Sequence, residues 1–412
     1  MNFRAKDKKP NAISTHTIHP YTAKMIPQIS QYLIKTFSQE NDWVLDPFCG
    51  SGTTLLEANL LRRNAIGIDI NPLSVLISKV KTTPFNVERA KSQIENVFVE
   101  IDKITEKCSI DFPNINYWFS EQAKDGLNRI KLAIENQRDY LDKEVYNFLL
   151  VCFSSIIRKS SNADPYMAKT YRSKGVLKKI ASGWTATPIQ YFKEIVFKNL
   201  EKISSTFNNQ PIKCSSQAFH GDAKELSFIL DENKTKNIGL VVTSPPYINA
   251  QDYFRSYKLE LWWLGLATPA QVHELNKRTI GTEYLSKHNY EETPQTECPL
   301  LNETLFKIWL KNKKGRQKSY LVANYFEGMN NIFEQIKNVL PHDKYLCLIT
   351  GNNTICETEV PTYQILASLA EKNDFQIVKL FKDKIKFRVL FKKRNHNGGV
   401  INEEWITVFK RK

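Results

Sequence analysis

Apolar residues recur at spacings of three and four along 87–107, 119–136, 143–159 and 188–207, so each stretch predicts a helix with one face on a core. A further helix is predicted over 320–340. Short apolar runs of a different kind lie outside these stretches. Trp43-Val44-Leu45 stops at Asp46, the run from Ala65 to Ile68 stops at Asp69, and the β-branched run Leu240-Val241-Val242 is closed by Pro245 and Pro246. Further strands are predicted over 344–350, 384–392 and 404–411. After Asp46 comes a Gly-rich turn and then a helical pattern through Leu55, Leu56, Ala58 and Leu60. Strand, glycine turn and helix in that order open a doubly wound α/β sheet, in which ligands bind beyond the carboxyl ends of the strands.

Composition narrows this picture only modestly. A chain of 412 residues with 42% hydrophobic content can bury a full core, and its length suggests two or three domains. No run approaches the apolar length that spans a bilayer, and the polar, basic start lacks the apolar core of a secretion signal. The seven cysteines are scattered, with no Cys-x-x-Cys pair and no Cys/His cluster at metal spacing. They read as reduced thiols of a cytoplasmic protein, and no metal is expected. The net charge of +15 draws polyanions, nucleic acid foremost. General solubility would account for the same charge, so the motifs have to decide.

The first motif is Asp46-Pro47-Phe48-Cys49-Gly50-Ser51-Gly52-Thr53-Thr54. Gly50 and Gly52 let backbone approach a ligand closely. A phosphate loop would place Lys after its last glycine, and a dinucleotide fingerprint would place a third glycine where Leu55 stands. Asp46 before the turn would repel phosphate and suits a cationic amino group. Asp69, ending the next strand, can accept hydrogen bonds from a ribose diol. An ordinary strand and turn explain Asp69-Ile70-Asn71-Pro72 equally well in isolation. With the loop, the pair points to a nucleoside cofactor that carries positive charge, such as S-adenosyl-L-methionine.

The second motif is Thr243-Ser244-Pro245-Pro246-Tyr247. The prolines carry no N–H, so nearby carbonyls escape the sheet ladder and can face a substrate. Ser244 offers a hydroxyl, Pro245 or Ser244 a carbonyl, and Tyr247 a flat face. Two acceptors and a stacking ring fit the amino group of a base extruded from a duplex. A Pro-Pro turn with a packing tyrosine is the plain alternative.

Together the two motifs resemble those of the DNA amino-methyltransferases, which methylate N4 of cytosine or N6 of adenine. The resemblance implies a Rossmann-like class I fold with S-adenosyl-L-methionine as cofactor and DNA as substrate. It implies a catalytic set of Ser244, Pro245, Pro246 and Tyr247. It assigns Asp46, Phe48, Gly50, Gly52, Thr53 and Asp69 to the cofactor. His19-Pro20-Tyr21-Thr22-Ala23-Lys24 resembles the family's preceding motif and brings in Thr22 and Lys24 at the methionine end. Gly221-Asp222 resembles the element whose acid, here Asp222, meets the adenine amino group. The helix over 320–340 and the strands after it match the end of the family's sheet. Ser at the first clamp position is associated in the family with cytosine N4, and Asp or Asn with adenine N6. A site-specific cytosine-N4 enzyme is thus expected, with adenine-N6 as the alternative. A place in a restriction–modification system, beside a cognate restriction endonuclease, follows from the family alone.

Asp69 and Asp222 are carried in the family by neighbouring strands a few tens of residues apart, yet here far more chain separates them. The expected organisation is therefore 1–85 for the first part of the methyltransferase domain and 86–214 for a helical insertion that recognises DNA. The second part follows over 215–412, with a further recognition insert at 251–318. Arg158 and Arg172 in the helical insertion, and Asp252, Tyr253 and Arg255 after the clamp, are the candidate substrate contacts. A solvated loop between packed helices is the simpler reading of the first two. An RNA guanine-N2 methyltransferase shares the loop but usually carries an acid before Pro-Pro-Tyr. A non-catalytic DNA-binding protein on the same fold would be expected to show a disabled motif, and neither motif is disabled. Cys49 is not expected to be a nucleophile, since carbon-5 methylation would need Cys after Pro.

Overall fold

The computed structural model describes residues 14–165, 169–207, 214–233, 237–248, 252–284, 290–385 and 401–412. The chain enters through α1 (Pro27–Phe37), β1 (Trp43–Asp46), α2 (Thr53–Leu60), β2 (Asn64–Asp69) and α3 (Pro72–Thr82). Six helices follow: α4 (Val87–Lys103), α5 (Ile115–Trp118), α6 (Glu121–Asn136), α7 (Lys143–Ser160), α8 (Lys174–Ala181) and α9 (Pro188–Phe207). The chain returns to the sheet with β3 (Ser216–His220), α10 (Leu226–Glu232) and β4 (Ile238–Thr243). A second helical group comprises α11 (Tyr253–Leu264), α12 (Pro269–Arg278), α13 (Pro299–Trp309) and α14 (Lys313–Val339). The end of the chain forms β5 (Tyr345–Thr350), a small hairpin of β6 (Asn353–Ile355) and β7 (Thr358–Val360), then α15 (Thr362–Lys372), β8 (Phe375–Lys384) and β9 (Glu403–Arg411).

Seven strands form one sheet in the order β3-β2-β1-β4-β5-β9-β8. Pairing is parallel from β3 through β5, and antiparallel where β9 joins β5 and β8 joins β9. Strand order reverses between β1 and β4, which opens a crevice at their carboxyl ends. All six residues of β4 are buried, as expected of a strand with both faces covered. The strand expected over 384–392 instead occupies Phe375–Lys384. Its pairing with β9 runs from Phe375↔Arg411 to Lys384↔Glu403, which fixes its position. Residues 386–392 lie outside the described residues.

The helices between β2 and β3 pack as a layer of their own against α3 and α11. Along α4, Ala90, Ile94, Val97, Phe98 and Ile101 form the buried stripe, and Asn86 caps its first turn by accepting from the Arg89 N–H. Trp263 of α11 is fully buried in this layer, edge-on to Phe119 and Phe153. Aromatic burial of this kind dominates core energetics, at several kcal/mol per residue (about 3–5 for truncation to Ala). The layer is therefore anchored on the helix that follows the Ser-Pro-Pro-Tyr turn.

Candidate active site

The cofactor-type loop is built by hydrogen bonds between successive strand ends. Asp46, buried at the end of β1, accepts from the Phe48 N–H at 3.1 Å and from the Thr243 hydroxyl at 2.7 Å. It thus ties β1 to the end of β4. Gly50, at φ +49°, donates its N–H to Asp69 Oδ2 at 2.9 Å, while Asn71 donates to Oδ1 at 2.8 Å. Gly52 stands at φ +74°, where a Cβ would lie 2.8 Å from Ser78 Oγ and 3.0 Å from its Cα. Ser78 in turn donates to the Gly50 carbonyl at 2.9 Å. Gly52 is thus required by the packing of α3 against the loop, and the close approach expected there is to Ser78. Of the two glycines, Gly50 lines the cleft.

That cleft sits at the crevice between β1 and β4. Phe48, Gly50, Asp69, Ile70, Asp222 and Ala223 form its floor, and Ser244, Pro246, Tyr21 and Tyr253 its far wall. Arg278 at the end of α12, with Thr279 and Ile280 after it, forms the near rim. Asp222 caps the turn after β3 through the Lys224 N–H, and Arg278 and the Lys224 ammonium approach its other oxygen at 3.5 Å. Burial lifts both Asp46 and Asp69 to about 6, against an ordinary value of 3.8. Neither has an ion-pair partner among the described residues. On the cleft floor, the buried Asp69 carboxylate left without a cation beside mixed polar and apolar walls suits a nucleoside ligand with positive charge. Burial also pushes the Cys49 thiol well up, which keeps it protonated and unreactive.

Beyond β4, Ser244 and Pro246 face this cleft while Tyr247 turns towards the last strand. Its hydroxyl donates to Glu404 Oε1 at 3.0 Å, and burial together with the Glu404 charge holds its pKa well above the usual range. The Ile248 carbonyl accepts from Asn353 Nδ2 at 3.0 Å. Both ends of the turn are therefore fixed: one by Asp46 through Thr243, the other by β9 and the start of β6.

Several expected residues lie elsewhere. Thr22 is held by the Tyr257 hydroxyl, through its N–H at 2.7 Å and its own hydroxyl at 3.0 Å. Lys24 donates inward to the His16 and His19 carbonyls, and burial lowers its pKa to about 8. Asp46 and Thr53 are buried behind the loop rather than on the cleft. Asp252 is the N-cap of α11, accepting from the Arg255 N–H, and the Arg255 side chain is exposed. Arg158 reaches the Ser256 carbonyl at 3.4 Å beneath α11, near the buried Glu260. Arg172 stacks on Tyr117 at 3.7 Å. Sequence reasoning missed Tyr21, Ile70 and the rim residues Arg278, Thr279 and Ile280. Tyr21 lies within the His19-Pro20-Tyr21-Thr22 motif, next to the residues expected there, whereas the rim has no local signal because it arrives from a helix distant in the chain.

Several cations of the helical layer and α11 sit on aromatic rings. Lys159 sits 3.7 Å from the Tyr191 ring centre, Lys179 3.8 Å from Trp184, and Lys258 4.7 Å from Trp118. Thr170, after α7, is tied to α11 by donating to the Arg255 carbonyl at 2.8 Å.

A mostly parallel sheet with a two-strand antiparallel end and a ligand cleft at the β1/β4 switch point defines a class I methyltransferase fold. A family profile described as DNA methylase matches residues 2–79. Over 390 residues the chain is 26% identical to the Type II methyltransferase M.MvaI of Kocuria varians, covering 90% of this chain and 84% of that one. Over 412 residues it is 25% identical to the Type II methyltransferase M.BsoBI of Geobacillus stearothermophilus, covering 89% and 80%. These likenesses support the DNA amino-methyltransferase family, whose cofactor is S-adenosyl-L-methionine. No helix among the described residues is long and apolar enough to cross a membrane.

Proposed function

We propose that the protein transfers a methyl group to the exocyclic N4 of cytosine at a specific DNA sequence. The observation that carries this reading is the clamp. Its first residue, Ser244, is a neutral hydroxyl on the cleft wall, within a turn held at both ends. A carboxylate at that position would be the stronger acceptor; a hydroxyl is a mild one and serves poorly as a base.

In this reading Asp69 accepts from the ribose hydroxyls, Asp222 from the adenine amino group, and Ile70 and Ala223 pack on the purine. S-adenosyl-L-methionine, when bound, supplies a methyl group on a sulfonium, a very good leaving group. Ser244 and the Pro245 carbonyl accept the two amino hydrogens of the extruded base. This draws the nitrogen lone pair out of conjugation and aims it along the line of transfer. Tyr247, neutral and tied to Glu404, stacks on the base ring and fixes its plane. Holding both reactants in line removes a large entropic part of the barrier. Tyr253 completes the wall of the cleft beside the clamp. The cations Arg172, Lys258, Lys159 and Lys179, together with Arg255, grip the phosphates that flank the target. The relatives are named Type II methyltransferases, which supports a role beside a separate restriction endonuclease.

The test is nucleoside mass spectrometry on mixed-sequence duplex DNA treated with the protein and methyl-labelled S-adenosyl-L-methionine. Labelled N4-methyl-deoxycytidine is expected. Labelled N6-methyl-deoxyadenosine would overturn the serine argument and leave the enzyme class intact. Ser244→Ala should lose about a hundredfold or more in turnover while keeping cofactor affinity.

A further inference from the structure

A second cavity, of about 590 Å³, opens beside the clamp at the same edge of the sheet. Its walls come from the turn after β5, the start of α15 and the facing ends of β8 and β9. Tyr363 and Trp405 stack within it, their ring centres 4.2 Å apart and their planes 18° from parallel. Around this shelf stand the amide side chains of Asn352, Asn353 and Gln364. Asn353 is 8% exposed. Its Nδ2 is engaged with Ile248, but its Oδ1 finds no donor among the described residues.

The chemistry of this set selects its ligand. Stacked aromatic rings receive any planar heterocycle, and the exposed Gln364 amide offers a donor and an acceptor to a base edge, while Asn352 is held in place by Glu359 and the Tyr363 N–H. Glu359 and Glu403 also line the cavity, and Lys382 is already paired with Glu403 at 2.5 Å. The cavity is therefore not built for phosphate. Its position is set by two hydrogen bonds: Tyr247 to Glu404, the neighbour of Trp405, and Asn353 to Ile248. Residues 244–248 thus separate it from the cofactor cleft, with Ser244 and Pro246 on that side.

We propose that this cavity is a second nucleobase subsite, holding an unstacked base of the DNA strand next to the methylated one and reading its identity. The inference rests on the clamp reading above. Its test uses the full chain, unmethylated mixed-sequence duplex DNA and sequencing of methylated sites, which gives the base preference at each position around the modified base. Tyr363→Ala should flatten the preference at one neighbouring position and raise the KM for DNA about tenfold. Its kcat should stay within about twofold of wild type, and Tyr363→Phe should restore both values. Unchanged preferences and KM in a Tyr363→Ala protein that melts like wild type would overturn the subsite. A collapse of kcat with preferences intact would also overturn it, by making the cavity the seat of the target base itself. If Tyr363→Ala does not fold, quenching of Trp405 by single-stranded oligonucleotides, isolated as the difference from Trp405→Phe, decides instead: quenching supports the subsite and its absence refutes it. Full activity in Ser244→Ala would remove the clamp reading alone, because the preference map does not depend on it.

Discussion

Asp69 offers the sharpest quantitative test, because two of its properties pull against each other. Its carboxylate receives the Gly50 and Asn71 N–H groups, which favours the charged form, yet burial outweighs them and lifts the pKa from 3.8 to about 6. The sign follows directly. The folded chain holds this proton more tightly than the unfolded chain does, so the group stabilises the fold at low pH. That stability is fully present below 3.8 and is lost as pH rises through about 6. Between about pH 5 and pH 7.5 the loss amounts to roughly 1.4 kcal/mol.

Asp69→Asn abolishes this titration. Asn has one acceptor oxygen for two backbone donors, so the variant also loses a hydrogen bond, at a cost of about 1–3 kcal/mol at every pH. The informative quantity is therefore the change with pH, measured by urea unfolding at constant ionic strength. Other groups titrate in this window. His19, buried and lowered to about 3, loses stability as pH falls, while Glu260, raised to about 7, gains it. Both are common to wild type and variant and cancel in the difference. Wild type should gain roughly 1.4 kcal/mol more than Asp69→Asn on acidification from about pH 7.5 to pH 5. Equal gains would show that burial does not perturb Asp69, and with it would fall the argument that the cleft awaits a cation.

Gly52→Ala should destabilise the protein by roughly 2–5 kcal/mol, combining a left-handed residue with overpacking against Ser78. Gly265→Ala is its control: at φ +67° with nothing within 4 Å of the added Cβ, it should cost only the backbone share, about 1–2 kcal/mol. Equal unfolding midpoints for the two variants would remove Ser78 from the explanation. Arg172→Ala and Lys258→Ala should each weaken DNA binding regardless of sequence and flatten the dependence of log K on log salt by roughly 0.9. A salt slope identical to wild type would mean that these cations face solvent and no phosphate.

What could be read in the sequence was local. A strand that ends in an acid, a glycine turn and a following helix are neighbours in the chain, so the place of Asp69 and Gly50 at the crevice followed from their spacing. The helices of the inserted layer announced themselves by the stripe that Ile94, Val97 and Ile101 exemplify. Side-chain direction did not follow. Lys24 sits in the expected stretch, but the turn over 16–19 presents two carbonyls that capture its ammonium. The position of Asp46 before the glycine turn suits an amino-group ligand, yet the Thr243 hydroxyl at 2.7 Å ties this carboxylate to the clamp strand. Arg278 and Ile280 were invisible for the opposite reason: their partners are Asp222 and the cleft, and nothing in their immediate neighbours encodes that meeting.

The helix after the clamp explains why a layer of inserted helices can serve a reaction carried out at the sheet. Tyr253 on its first turn lines the cleft, and Tyr257 one turn later stacks on Tyr21 with ring centres 5.0 Å apart and holds Thr22. Farther along, Trp263 is sealed in the core of the helical layer. The backbone of Arg255 and Ser256 receives Thr170 and Arg158 from the cation-bearing segment. One helix thus carries contacts to the cofactor side, the clamp side and the basic face. Moving the basic face relative to the clamp would require extracting Trp263 and breaking buried hydrogen bonds, each costly to leave unmade. The phosphate contacts proposed for this face would therefore be held in register with Ser244 before DNA arrives. On the proposed function, such a preformed surface sets the register of the duplex, and the energy of binding can go into extruding the base.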